Sequence, residues 1–228
     1  FFNGTSIGAS VIISRHYGAH DDKKLHLAVE TTIMVTFLAS ILFTVLGIFL
    51  APLMLRFMST PDDVLESASV YLRIYFSGIA GLLVYNMGSA VLRAVGDTKR
   101  PLYFLTVAGI VNVIFNLFFV IVLRMGVAGV AIATVVSQVI SAVLILMCLL
   151  KMDGMCQLHK DKIKLHGDKV KEMLRIGIPA GLQGIVFSIS NVLIQSSVNS
   201  FGSIVMAGNT AASNIEGFVY TAMNAIYQ

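Results

Sequence analysis

LRAVGDTKRP, residues 92–101, is a charged turn between two apolar runs, residues 74–91 before it and 102–123 after it. Each run approaches the roughly 20 residues that a helix needs to cross a bilayer core. The stretch therefore reads as a short loop between two spans. Arg93, Lys99 and Arg100 make it basic, and an excess of Lys and Arg marks cytoplasmic loops. Gly96 suits the end of the first helix, because glycine takes up left-handed backbone at no steric cost. Asp97 or Thr98 suits the cap of the second. Pro101 fits that helix's first turn, where a missing N–H costs nothing. With this turn placed inside, the side of every other loop follows by counting crossings.

Of 228 residues, 57% are hydrophobic and 12% charged, and the mean hydropathy is +0.85. Span-length apolar runs recur, which excludes a soluble globular domain. Only helices or closed barrels satisfy the backbone in lipid. These runs are too long and too uniformly apolar for barrel strands of about ten alternating residues. The expected fold is an all-α, polytopic membrane bundle. The formal charge is +4, but the basic residues sit between spans and act as orientation signals, not as a nucleic-acid surface. Cys148 and Cys156 have no CxxC spacing and read as free thiols on a reducing side. His16, His20, His26, His159 and His166 all fall in loops assigned to the cytoplasm, and neither a metal nor a proton role is expected of them. With no convergent Ser, His and Asp and no phosphate loop, nothing points to an enzyme.

Spans are expected at residues 1–14, 27–55, 68–91, 102–123, 128–150, 179–200 and 204–228. The acidic turn MSTPDDVLES, residues 58–67, falls outside, with Ser59 or Thr60 ahead of Pro61 suited to begin a helix. Ser77, Gly78, Gly81 and Gly88 give the third span small residues for close packing. Residues 151–172 form a cytoplasmic linker between a first unit, residues 1–150, and a second, residues 173–228. Within residues 167–178, Val170, Met173, Leu174 and Ile178 lie on one side of an amphipathic lead-in and Lys169, Lys171, Glu172 and Arg175 elsewhere. Pro179 then kinks or resets the helix. On this count 13 of the 16 Lys and Arg residues lie inside, and Arg56, Arg73 and Arg124 outside. A missed or invented span would destroy that segregation. The chain lacks an initiator Met and starts and stops within apolar helices, so it reads as an internal piece of a longer protein.

Polar residues within the spans are unevenly spread. The sixth span carries Gln183, Ser188, Asn191, Gln195 and Asn199, and the seventh Asn209, Ser213, Glu216, Tyr220 and Asn224. Most recur every three or four residues, making one polar stripe per helix, and in lipid such a stripe faces protein or a water-filled cavity. Glu216 reads as the only acid well inside a span. It lies about 13 residues, or roughly 20 Å, from the outer turn, near the bilayer middle. A carboxyl there suits proton exchange or pairing with a cation; the structural alternative is hydrogen bonding to Asn or Ser neighbours. Asn112 and Asn116 share a face with Gly109 and either line a cavity or, as favoured here, knit helices together.

VLRAVGDTKRP (residues 91–101), NVIFN (residues 112–116), SRHYGAHDD (residues 14–22) and RIGIPAGLQ (residues 175–183), in this order against the expected helices, resemble the multidrug and toxic compound extrusion (MATE) family. The resemblance implies a truncated two-lobe transporter of twelve helices, of which this chain would supply helices two to eight. It also implies a monomeric, multi-pass protein of the bacterial inner membrane that exports amphipathic, often cationic organic compounds in exchange for H+ or Na+, with no other cofactor. The cytoplasmic motif residues would be Arg93, Gly96, Asp97, Thr98 and Pro101. Some members carry a Glu eight residues beyond the proline of helix seven; here Phe187 holds that position. That cation site is not carried over, which leaves Glu216 as the coupling candidate. The alternatives are a lipid-linked oligosaccharide flippase of related fold, which would need cavity cations that these spans lack, and a non-transporting scaffold or receptor.

Overall fold

A computed structural model describes residues 2–152 and 166–227. Among them there is no strand. The helices are α1 (Phe2–Gly18), α2 (Asp22–Phe57), α3 (Asp62–Ser77), α4 (Ile79–Ala94), α5 (Lys99–Leu117), α6 (Gly126–Lys151), α7 (Gly167–Asn199) and α8 (Ser203–Tyr227). Among the described residues, α2, α5 with its π-helical continuation, α6 and α7 are long and apolar enough to cross a membrane, and α3 with α4 adds a fifth when the bent pair is counted as one span. Cys156, His159, Lys160, Lys162 and Lys164 lie outside the described residues.

The turn at residues 92–101 is built as its sequence demands. Gly96 has φ +87°; its N–H donates to Arg93 O at 3.0 Å and that of Asp97 to Leu92 O at 2.9 Å, closing α4. Of the two candidate caps, Asp97 is the one used. One carboxylate oxygen accepts from the Arg100 N–H at 3.2 Å and the other pairs with Arg100 Nε at 3.2 Å. Thr98 occupies the cap position without a side-chain bond. Pro101 is buried in the first turn of α5, where its carbonyl accepts from the Tyr85 hydroxyl at 2.9 Å.

Several expectations need correction. The third span is two helices bent by 47° at Ser77–Gly78, a Ser/Gly step being a common origin of sharp kinks. The fourth span ends its α-helical part at Leu117 and continues as a π-helical turn, Phe118–Val122. Neither Ser59 nor Thr60 caps α3. Ser59 has φ +51° and helps end α2, while Pro61 stands at the cap position with no side-chain bond. Of the two outcomes open to Pro179, a reset does not occur: α7 runs 33 residues through it as one helix. His16 is not in a loop but in the last turn of α1, buried.

Long-range hydrogen bonds agree with the sidedness read from charge. Ser14 Oγ donates to Ala94 O at 3.1 Å, joining two ends placed inside. Asn199 Nδ2 donates to Met58 O at 2.9 Å, joining two ends placed outside. The core gathers in the inner half of the bundle around Ile13, Leu25, Val29, Met87, Leu92, Ile145 and Leu149. There α4 packs on α6 through glycines: Gly78 faces Val135, Gly81 the backbone of Gln138, and Gly88 Ile145. The offset between partners is the same each time, so the two helices run parallel, as two outside-to-inside spans must.

Asp97→Ala in the full-length protein is expected to cost about 1 kcal/mol, the usual worth of an N-cap. Thr98→Ala should stay within about 0.5 kcal/mol, as an ordinary surface change does. Thermal unfolding in detergent separates the two.

Candidate functional site

The densest contact between the two units expected from sequence is that of α1 with α7. It is made backbone to backbone. A Cβ on Gly4 would collide with Gly177 O and with Gly181 N and Cα, and one on Gly8 with Met173 O. Conversely, a Cβ on Gly177 would lie 2.9 Å from Gly4 O and 3.0 Å from Thr5 Cα. Gly4–x3–Gly8 and Gly177–x3–Gly181 are thus reciprocal small-residue faces, the arrangement that lets membrane helices approach most closely. Partners descend along α7 as they ascend along α1, so the pair is antiparallel.

One α-helical stretch further in, the same register brings His16 to Lys169. The ammonium lies 3.0 Å from His16 Nε2 and donates to Glu172 Oε2 at 2.9 Å. Lys169 is only 8% exposed and His16 5%. Burial, and after it the Lys169 ammonium, hold the His16 ring below its ordinary pKa, so it stays neutral and accepts from a group that can only donate. The Lys169 hydrogen bond likewise holds the Glu172 carboxyl below the usual range. Beside this cluster Glu30, buried in α2, has a carboxylate oxygen 3.9 Å from Nε2 of His166, the residue that precedes α7.

Lys169 was expected on the polar side of the lead-in. It lies instead with Met173, Gly177 and Gly181 on the face turned to α1, because His16 and Glu172 satisfy its charge there. Val170, Leu174 and Ile178 line a separate hollow with Lys171 and Arg175.

On the outer side of the glycine contact a crevice of about 360 Å³ opens, lined by Gly4, Ile7, Ala180, Gly181, Gln183, Gly184, Phe187 and Ser188. Of the expected cavity residues it holds Gln183. Gln195 donates to Asn199 Oδ1 at 2.8 Å, and so braces the outer bond to Met58, while Asn191 is exposed. On α8, Asn209 is half-buried and Ser213, Glu216 and Tyr220 are exposed; the side chain of Asn224 lies outside the described ones. Asn112 and Asn116 are elsewhere. Asn116 Nδ2 donates to Asn112 Oδ1 at 2.9 Å and Asn112 Nδ2 to Ser137 Oγ at 3.2 Å, a chain that ties α5 to α6. At the inner ends of those helices a hollow of about 490 Å³ includes Arg100, Phe104, Cys148 and Lys151, but Asp97 already engages the Arg100 guanidinium.

The MatE family profile matches residues 1–118. The chain belongs to the MatE family. It is 33% identical over 226 residues to the "Probable multidrug resistance protein YpnP" of Bacillus subtilis, which covers 96% of this chain and 49% of that protein. It is 25% identical over 219 residues to the "Probable multidrug resistance protein NorM" of Thermotoga maritima, covering 94% of this chain and 47% of that one. Its fold matches an inward-facing multidrug resistance MATE family transporter of the MOP superfamily with TM-score 0.80 at 22% identity, over 91% of this chain and 49% of the other. The chain spans about half the length of the curated relatives it matches. As a MatE chain with several crossing helices it is a multi-pass membrane protein, and the family's members are transporters and not enzymes.

In this MatE chain the α1–α7 junction was missed from sequence, although two GxxxG spacings stood in plain view. Gly177→Leu in the full-length protein is expected to cost about 1–3 kcal/mol, as overpacking does, because its side chain runs into the backbone of Gly4 and Thr5. Gly184→Leu, with open space at its Cβ, should be tolerated. Chemical denaturation of the two variants in detergent gives the comparison.

Proposed function

We propose that the full-length protein is an antiporter of the inner membrane that exports amphipathic, cationic organic compounds in exchange for H+ or Na+. The observation that supports this most is the α1–α7 junction. Two units meet there through facing glycines, and a crevice lined by Gln183, Phe187 and Ser188 opens beside the contact. Relatives that bear multidrug resistance names support the same reading. Transport then follows from alternate closing of the two units at the inner and outer ends. A ligand shifts that balance only by the difference in its affinity for the two states.

Glu216 is the coupling group in this reading. It lies near mid-bilayer on α8, flanked at helical spacing by Ser213 and Tyr220, and proton or cation binding there alternates with substrate binding. A neutral side chain of the same shape cannot exchange an ion. Glu216→Gln in the full-length protein is expected to abolish ion-coupled drug efflux from inverted vesicles while protein yield and unfolding temperature hold. Unchanged efflux in that variant would refute the assignment.

A further inference from the structure

We propose that His16, Lys169 and Glu172 form a cytoplasmic latch, holding the inner end of α1 against α7 while His16 is neutral and releasing it when His16 takes up a proton. The proposal rests on the two-unit transporter reading for its purpose, but its evidence is separate. Lys169 is a buried cation that no step of ion-coupled export uses. It is held by two acceptors, one on its own helix and one on α1. Of the two, only the bond to His16 joins the helices, so that bond is the one on which closure depends.

The charges around His16 decide what protonation does. From α7 it faces Lys169 and Glu172; on its own helix Arg15 is adjacent, and in the next turn Asp21 is engaged by Lys24 at 2.9 Å. With His16 neutral, Lys169 and Glu172 balance. With His16 charged, two cations stand 3.0 Å apart with one carboxylate between them to share, Nε2 turns from acceptor to donor, and the bond across the interface is lost. The neighbouring Glu30–His166 pair has the opposite sign, because a protonated His166 attracts Glu30. Its atoms are 3.9 Å apart and its imidazole is about one-third exposed, so solvent screens it. The closer, buried pair prevails.

The direction of the pH effect follows. A histidine whose pKa is lowered in the closed state stabilises that state fully above its ordinary value and loses this contribution as the pH falls through and below it. The inner side therefore stays shut at neutral cytoplasmic pH and loosens on acidification.

The test uses full-length protein in liposomes, with its native cysteines replaced and spin labels at Gly18→Cys and Lys171→Cys, both exposed positions near the inner ends of α1 and α7. Distances are measured by electron spin resonance without substrate or ion gradient. Between about pH 7.5 and pH 5.5, the window in which an imidazole changes charge, the long-distance population should rise roughly fivefold relative to the short one, the lower end of usual coupling strengths. His16→Gln, whose amide oxygen still accepts from Lys169 but does not titrate, should stay short at both values. His16→Arg, permanently charged, should be long at both. A pH response that persists in His16→Gln, or a short distance in His16→Arg, would overturn the latch. The same labelled protein assayed for drug efflux judges the transport reading separately: failure there leaves the distance result standing, and the reverse.

Discussion

Everything that the second unit does against the first depends on how near two helix backbones can come in lipid. Between membrane helices there is no hydrophobic gain from contact, because acyl chains are as apolar as leucine. Association then comes from dispersion over closely fitted surfaces and from polar bonds. Gly4, Gly8, Gly177 and Gly181 remove the side chains that would hold α1 and α7 apart. Their register in turn sets His16 opposite Lys169 and leaves the crevice at Gln183 and Phe187 beside the contact. A single larger residue in that face would displace both.

The first unit is put together differently. There α4 and α6 also approach through glycines, but Met87, Leu92, Ile145 and Leu149 fill the inner half with fully buried apolar side chains, and Asn116, Asn112 and Ser137 tie α5 to α6. Parting those helices means unpacking interlocked side chains. Between α1 and α7 the closest approach is backbone to backbone at Gly4, Gly8, Gly177 and Gly181, with Met173 of α7 in the same buried cluster as Ile12 and Ile13.

Much of the first unit was legible in the sequence because its signals are local. Span length, the inside excess of Lys and Arg, Gly96 and Asp97 in their turn, and the small residues at Gly78, Gly81 and Gly88 each state their structural role within a few residues. The bend at Gly78 was less legible, since the same glycine serves close packing and a kink equally well. His16 and Lys169 were misjudged for a physical reason. A polar side chain at a helix end is solvated unless a distant segment covers it, and in these cases the covering segment lies more than a hundred residues away. Glu216 was singled out by its neighbours on α8, and there its side chain is exposed.

The outer fastening of α7 has a property that its inner one lacks. Asn199 bonds not to a side chain but to the carbonyl of Met58, a group that every residue type carries. The amino acids of that bend can therefore change without unfastening the clasp, provided the peptide keeps its course. The inner fastening, made of three ionisable side chains, has no such freedom. One end of α7 is fastened through main chain and the other through ionisable side chains, and only the second can be tuned.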